Sequence, residues 1–279
     1  MNLTFKRSNF QESGELERLL ELQNYVYKGR YVFDTDDFKY WYVDNPQGPA
    51  YSFSAYDGDK MVANVAFIPT TISVFGKVLH GIHSMGVVTH PSYQGRGIFS
   101  KLSELACQCA KEDGKDFAMA ISNANSTPAF LKYLGFYLVS PLDVKWGWGM
   151  ITHDESKSQV YKIYDLDTLS WRLRNPKYTR CNDVVSGKYG VKYGIKTFMG
   201  IVQPDFLDQI DIPVSANRLS PLNLYIGLGA DLSKGHYFNF PKFIKHSPFN
   251  LIFRHFNDKI PRKIHKEDVF IQLLDFDVT

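Results

Sequence analysis

The 279-residue sequence predicts an α/β fold, an α+β arrangement on a mixed sheet, and three observations carry that prediction. Asp57-Gly58-Asp59-Lys60 separates the apolar stretches Tyr51–Tyr56 and Met61–Ile68, and Asp-Gly tolerates the positive φ of a tight hairpin turn. Gly76-Lys77 likewise separates Thr71–Phe75 from Val78–Thr89. A glycine-bearing loop, Pro91–Gly97, then leads from strand into helix, and strand-like and helix-like stretches alternate beyond it.

Taken in order, residues 11–28 place Leu16, Leu19, Leu20, Leu22 and Tyr25 at helical spacing among acids and polar groups. A second helix opens at Asp34–Asp37, where acids suit the positive end of the helix dipole. It closes near Asn45-Pro46, because proline disfavours helical geometry in the residue before it. The two hairpins follow. After the loop, Ile98, Leu102, Leu105, Ala106 and Cys109 recur at helical spacing as far as the stop at Gly114. Phe117–Ser122 reads as a short strand, Thr127–Leu134 as a helix, and Phe136–Trp148 as a strand pair around Pro141. The order ααβββαβαβ implies a mixed sheet with helices on its faces.

Composition narrows the classes of function. Apolar residues make up 44% and charged residues 22%, ordinary values for a globular chain that buries a sizeable core. The 32 basic residues against 29 acidic ones leave +3 with no basic block, which argues against a nucleic-acid partner. Cys107, Cys109 and Cys181 form no disulfide framework. The first two lie in a helical stretch on faces too different to share a metal, and read as reduced packing residues. No apolar run approaches ~18 residues and no apolar leader follows Met1, so the expectation is a soluble, cytoplasmic protein without a membrane partner.

The length suits one large or two medium domains. One echo favours two. Phe38–Tyr51 resembles Leu169–Tyr178: in each, a Trp stands four residues before an Asn-Pro that ends a helix, and a β-like stretch follows (51–68 and 184–202). Trp171 follows Trp41 by 130 positions, about one domain length. Two domains are therefore expected, 1–150 and 151–279, the second a degenerate copy of the first with the boundary near Ile151–Ser158. A chance match is the alternative. The second half holds no counterpart of the glycine loop, since Ile226-Gly-Leu-Gly-Ala-Asp231 lacks a strand–turn–long-helix context.

The stretch Gly86-Val-Val-Thr-His-Pro-Ser-Tyr-Gln-Gly-Arg-Gly-Ile-Phe-Ser-Lys-Leu102 carries the chemistry. The first N–H groups of a helix lack intrahelical partners, and the helix dipole favours an anion beside them. Gly95 and Gly97 remove side chains that would hold a phosphate away and permit the backbone angles of an anion nest. Arg96 adds charge at the rim. A plain surface turn is the alternative on the glycines alone.

The surrounding residues resemble the GNAT acetyltransferases, whose central motif is Gln/Arg-x-x-Gly-x-Gly/Ala. Here it stands as Gln94-Gly-Arg-Gly97-Ile-Phe99, with Val87-Val-Thr-His-Pro-Ser-Tyr93 similar to the family's fourth strand and its approach. Downstream, Phe117–Ser122, Asn123–Asn125 and Phe130-Leu-Lys-Tyr-Leu-Gly-Phe136 resemble the family's fifth strand, Asn, helix and "Gly-Phe". The resemblance covers about 1–150, and tandem family members with a degenerate second copy match the echo. It implies the GNAT fold in the first half and acetyl-CoA as co-substrate. Val87, Val88 and Thr89 would meet the pantetheine and acetyl group through strand-edge amides. Gly95, Arg96, Gly97, Ile98, Phe99 and Ser100 would bind the pyrophosphate, and Asn125 the pantetheine or thiol end. Phe99 departs from the family's Gly or Ala, and its side chain can instead enter the helix–sheet interface.

Attack on a thioester needs a neutral amine, so a base or a water chain is required. His83 is the candidate base, with an unperturbed pKa near ~6.5, and a packed sheet histidine is the alternative. Simple alternation puts His83, Met85, Val87 and Thr89 on one face unless a bulge at Gly86 intervenes. His90, before Pro91, reads as a loop residue. The leaving thiolate would take a proton from a Tyr that many family members carry, a position that falls here on Leu131. Tyr133 is the nearest candidate acid, roughly 200° further round the helix, and water is the alternative. No Ser-His-Asp order, His-Glu-x-x-His or Cys-x-x-Cys supports a hydrolase or metal site. The reaction implied is acetyl transfer from acetyl-CoA to the amine of a small molecule or amino sugar. Its rivals are a non-catalytic acyl-CoA-binding module and an aminoacyl-type transferase.

Overall fold

The computed structural model describes residues 2–12, 14–28, 33–149, 151, 153, 157–175, 178–183, 188–193, 197–199, 222–241 and 247–276. Its first half runs β1 (Thr4–Arg7), α1 (Glu15–Tyr27), α2 (Thr35–Tyr42), β2 (Tyr51–Asp57), β3 (Lys60–Val74), β4 (Lys77–Thr89), α3 (Ile98–Glu112), β5 (Phe117–Ser122) and α4 (Thr127–Tyr133). Strands β1 to β5 lie in sequence order across one mixed sheet; the first four are antiparallel, and β4 and β5 are parallel across the α3 crossover. The mixed sheet and its helices agree with the sequence reading. β1 escaped it because Thr4-Phe-Lys-Arg7 holds a single apolar residue.

The two faces of this sheet have separate cores. On one, α3 buries Ile98, Leu102, Ala106 and Ala110, four residues apart, against Val65, Phe67, Ile82 and Ala118. Burying a side chain the size of Leu102 contributes about 1.5–3 kcal/mol. On the other, α1 and α2 bring Leu19, Leu22, Phe38, Trp41 and Tyr42 onto Ala66, Ile68 and Val88. Tyr25, expected in the apolar stripe of α1, is instead 51% exposed and stacks on His90 at 4.5 Å.

The second half begins with a departure from expectation. β6 (Tyr137–Pro141) and β7 (Asp143–Gly149) do not pair with each other; they enter different sheets. After them come β8 (Val160–Lys162), α5 (Leu166–Leu173), β9 (Tyr178–Asp183), β10 (Lys188–Tyr193), β11 (Thr197–Met199), β12 (Asn223–Leu228), β13 (Gly235–Asn239), β14 (Asn250–His255), β15 (Ile271–Gln272) and α6 (Leu273–Phe276). The expected β-like stretch 184–202 contains β10 and β11, and its residues 184–187, 194–196 and 200–202 lie outside those described.

β14 lies between β5 and β6 in the first sheet, antiparallel to both. β7 lies between β12 and β13 in the second, again antiparallel to both. Each half thus gives an interior strand to the other's sheet. A boundary near residue 150 divides the chain but not the sheets. A bidentate pair seals the first insertion: Arg254 of β14 donates to Glu104 of α3 at 2.6 and 3.0 Å. β8 extends the first sheet further by pairing with Ile72–Val74 of β3. The stretches Met61–Ile68 and Thr71–Phe75, expected as separate strands, lie in the one strand β3, and Pro69 between them falls between the end of β2 pairing at Phe67 and the start of β8 pairing at Ile72. No ladder bond is asked of its missing N–H there.

The two echo segments touch. α2 and α5 are each 8 residues long, opened by Asp34 and Asp165, whose carboxylates accept from the backbone N–H of Asp37 and Thr168. Tyr40 stacks on Trp171 at 4.9 Å; its hydroxyl donates to the Trp171 carbonyl at 2.8 Å, and Trp171 Nε1 donates to the Tyr40 carbonyl at 3.2 Å. Among the described residues no helix is long and apolar enough to cross a membrane.

Candidate functional site

Pro91–Tyr93 forms one 3-10 turn after β4, and the chain then reverses through Gly95 and Gly97 at φ 74° and 73°. Those left-handed angles are ones that side-chain-bearing residues rarely adopt, which is why glycine stands at both. The first helical bond of α3 runs from Lys101 N–H to Gly97 C=O at 3.0 Å, so the amides of Ile98, Phe99 and Ser100 precede the ladder. No side chain caps them. Around the Cβ positions of Gly95 and Gly97 the space is open, and Gln94–Gly97 are exposed. Gln94 Nε2 donates to Thr89 C=O at 3.2 Å, and Arg96 donates to Ser92 C=O at 2.9 Å with its guanidinium over the Tyr93 ring. A cation therefore stands beside the open donors. Phe99 turns away, edge-on to Phe130 at 5.0 Å in the α3 core, so its bulk stays off the loop.

β4 supplies the other element of the site. Its pairing with β5 covers only Gly81–Ser84, after which the strands diverge. Ser84, Met85, Gly86 and Val87 then become partly exposed although they belong to a central strand. Tyr42 reaches this opening, and its hydroxyl fills the place where a Cβ on residue 86 would stand, so any side chain there would displace it. The ladder to β3 skips Met85, a bulge that corrects the expected alternation. Met85 and Val88 face the α1–α2 core, while Val87 packs on the α3 core. His90 N–H bonds to Val62 C=O, and counting in twos along the antiparallel ladder turns the backbone of Val87 and Thr89 toward the gap left by β5. The Val87 carbonyl there accepts from the Tyr27 hydroxyl at 3.4 Å. Asn125 is exposed ahead of α4, its N–H bonded to Asn123 Oδ1 at 2.9 Å.

The two catalytic candidates are not brought together. His83 is 1% exposed, on the face opposite α3, between the cations of Lys162 and Arg172. Burial first and then these two charges push its imidazole down to about 3. A base must become cationic, and this setting disfavours that charge on His83. Tyr133 ends α4 at 63% exposure with the Lys132 ammonium over its ring, a surface setting and not that of an internal acid. Sequence spacing missed this because the cations facing His83 come from β8 and α5, far along the chain.

This loop and opening belong to a segment, residues 9–139, that matches the acetyltransferase (GNAT) domain family model. That segment is a GNAT acetyltransferase domain. Solved GNAT-type structures share the fold well beyond it. A GNAT N-acetyltransferase from Kribbella flavida aligns with 91% of this chain and 71% of its own at 10% identity and TM-score 0.60. A conserved protein of unknown function from Enterococcus faecalis V583, a probable N-acyltransferase, aligns over 91% and 73% at 12% identity and TM-score 0.55. No curated protein matches the chain in sequence. The fold likeness thus extends over the second half, whereas the GNAT domain match ends before β7.

Proposed function

We propose that the chain moves an acetyl group from acetyl-CoA to the amine of a small molecule by direct attack in a ternary complex. The observation that carries this reading is the junction of the uncapped α3 N-terminus with the diverging β4 and β5. The amides of Ile98, Phe99 and Ser100, with Gly95, Gly97 and Arg96, suit a pyrophosphate. The backbone of Val87 and Thr89 suits the pantetheine arm and the thioester carbonyl, Val88 contributes packing beneath it, and Asn125 stands near the mouth. When bound, acetyl-CoA supplies the activated acyl carbon. The chain's role is to align that carbon in the opening and polarise its carbonyl with strand amides. With His83 confined to its neutral form, the amine's proton passes to water admitted at Ser84–Val87. The free thiols of Cys107 and Cys109 suit a reducing, cytoplasmic setting.

The test is release of free CoA thiol from acetyl-CoA across a panel of amines, amino sugars included. Turnover with one acceptor, lost in Gly97→Glu, supports the reading. Binding of acetyl-CoA without turnover for any amine would favour a non-catalytic acyl-CoA-binding module, the reading that the settings of His83 and Tyr133 also fit. Retention of Gln94–Gly97 weighs against an aminoacyl donor.

We further infer that residues 151–279 are a degenerate second copy of the first domain. The reciprocal strands β7 and β14, the matched caps of α2 and α5 and their mutual hydrogen bonds support it. Among the described residues no glycine loop opens a helix after β12, and on this reading the copy contributes shape and no cofactor chemistry.

A further inference from the structure

Tyr42 ends α2 and reaches β4 as a firmly held phenol. Phe10 stacks on its ring at 5.4 Å and Phe38 at 5.7 Å, and its backbone carbonyl accepts from the Ala50 N–H at 2.9 Å. The residue is 4% exposed, packed in the core that α1 and α2 form with the sheet. Its side chain crosses that core and ends on Gly86, with the hydroxyl where a Cβ of that residue would stand. Gly86 lies in the opening past Ser84, where β4 has parted from β5 and Ser84–Val87 are partly exposed.

That hydroxyl makes no hydrogen bond among the described residues. Buried phenols ordinarily find a partner, because an O–H taken out of water unpaired costs free energy. The other tyrosines of this core follow the rule. Tyr56 donates to Glu15 at 2.5 Å, Tyr27 to the Val87 carbonyl at 3.4 Å and Tyr40 to the Trp171 carbonyl at 2.8 Å. Tyr42 departs from it, and its oxygen is not one of the fully sealed polar atoms, so it stays open at the site. A phenylalanine would fill the same space between Phe10 and Phe38 without that cost. Burial first, and then the neighbouring Tyr27, hold the Tyr42 pKa above the ordinary phenol value, so at neutral pH it is a fixed neutral donor.

We propose that the Tyr42 hydroxyl donates a hydrogen bond to the thioester carbonyl oxygen of bound acetyl-CoA. The proposal rests on the acetyl-transfer reading and gives it a catalytic side chain beside the β4 amides. On that reading three reacting atoms meet at the opening: the attacking nitrogen, the carbonyl oxygen and the sulfur. The nitrogen needs its lone pair for the carbonyl carbon, so a donor on it would oppose attack. A thioester sulfur accepts only weakly. The oxygen gains negative charge as the nitrogen pair forms the C–N bond and the π pair moves onto oxygen, and a fixed donor there lowers the barrier. As that pair returns, the C–S bond breaks and the CoA thiolate leaves, while the amine proton passes to water. Tyr42 keeps its own proton throughout. Its pKa lies above the ordinary phenol value and a thiol's near ~8.5, so it stabilises charge and does not protonate the thiolate.

Tyr42→Phe tests this with two readouts, one of which needs no acceptor. The first is the infrared carbonyl band of bound acetyl-CoA, isotope-labelled at the carbonyl carbon: loss of the donor should move it to higher wavenumber. The second is release of CoA thiol with an amine that the wild type acetylates. There kcat should fall on the order of 10²-fold, the scale of one lost oxyanion donor, with acetyl-CoA affinity by calorimetry nearly unchanged. Melting should be no lower than in the wild type, because the hydroxyl has no partner to lose. A tyrosine that only packs would leave both the band and kcat in place. Gly86→Ala, whose methyl must displace the hydroxyl, should reproduce the loss, and the double variant should be no worse than Gly86→Ala alone. An unmoved carbonyl band, or an unchanged kcat in Tyr42→Phe, would overturn the contact. A shifted band with no amine acetylated by the wild type would leave the contact standing and overturn the acetyl-transfer reading. Failure of the wild type to bind acetyl-CoA would overturn both.

Discussion

The two faces of the first sheet use opposite chemistry. The α3 side is an apolar core whose open donors at the site are backbone: amides left over at a helix N-terminus and strand groups turned into the gap after Ser84. The other side carries side-chain charge enclosed by protein, with Arg172 at 1% exposure over Trp41 and both its Nε and Nη2 on the Leu274 carbonyl. Backbone donors cannot titrate and hold one charge state at any pH. Enclosed side chains can, and burial with the Arg172 charge pulls the Lys162 ammonium down to about 7 against the pull of Asp275. One face therefore offers donors whose charge does not change with pH, and the other holds groups whose charge does.

Four changes to the chain probe that contrast. The largest effect is expected from ending it at Thr152, which removes β14 from between β5 and β6 and β8 from β3. The product should be insoluble or lack cooperative melting; a folded, active fragment would show that the first face needs nothing from the second half. Next, Gly97→Glu should abolish the heat of acetyl-CoA binding, since it sets a carboxylate at the nest and forces φ 73° on a residue with a Cβ. Equal affinity by calorimetry would move the phosphate site elsewhere.

His83→Gln should be milder and visible in pH dependence. The unfolded chain takes up the His83 proton near 6.5 and the folded one only near about 3, so wild-type stability falls as pH drops through that window. Glutamine has no such proton, and the variant's stability should decline less between pH 6.5 and 4. Lys162 adds no slope there, because its own window lies between about 7 and 10.5. The neighbouring Asp275, raised by burial, slopes the other way in both proteins. Activity at neutral pH should stay within a few-fold for a true acceptor amine. A loss of on the order of 10²-fold with that amine, at unchanged melting, would assign the base to His83. Smallest of all, Tyr133→Phe should shift stability by under about 0.5 kcal/mol and leave kcat/KM in place.

The same contrast explains what the sequence could reveal. The glycine loop was legible because its pieces are contiguous and its glycines answer to local backbone geometry. The hairpins, α3, β5 and α4 were legible for the same reason. The bulge at Met85 was anticipated only as a possibility one residue away, since no residue type demands it. The partners of His83 were invisible: Lys162 and Arg172 stand on short elements whose contacts to β3 and α2 have no periodicity to betray them. β6 and β7 misled most. Two adjacent β-like stretches around a proline ordinarily pair, and here Pro141 and Leu142 mark where the chain leaves one sheet for the other.

The exchanged strands also set an order of events in time. Ser122 Oγ donates to the carbonyl of Asn250, a partner that is synthesised 128 residues later. Until β14 arrives, β5 and β6 each present an unpaired edge, and the first sheet cannot close on the ribosome while most of the second half is still being made. Long-range pairing of this kind slows folding, because a large loop must be ordered before its contacts form. Open edges in the interval invite pairing with other nascent chains. Expression of this protein should accordingly improve when translation of 150–250 is fast or the growing chain is shielded, with no change to the native molecule.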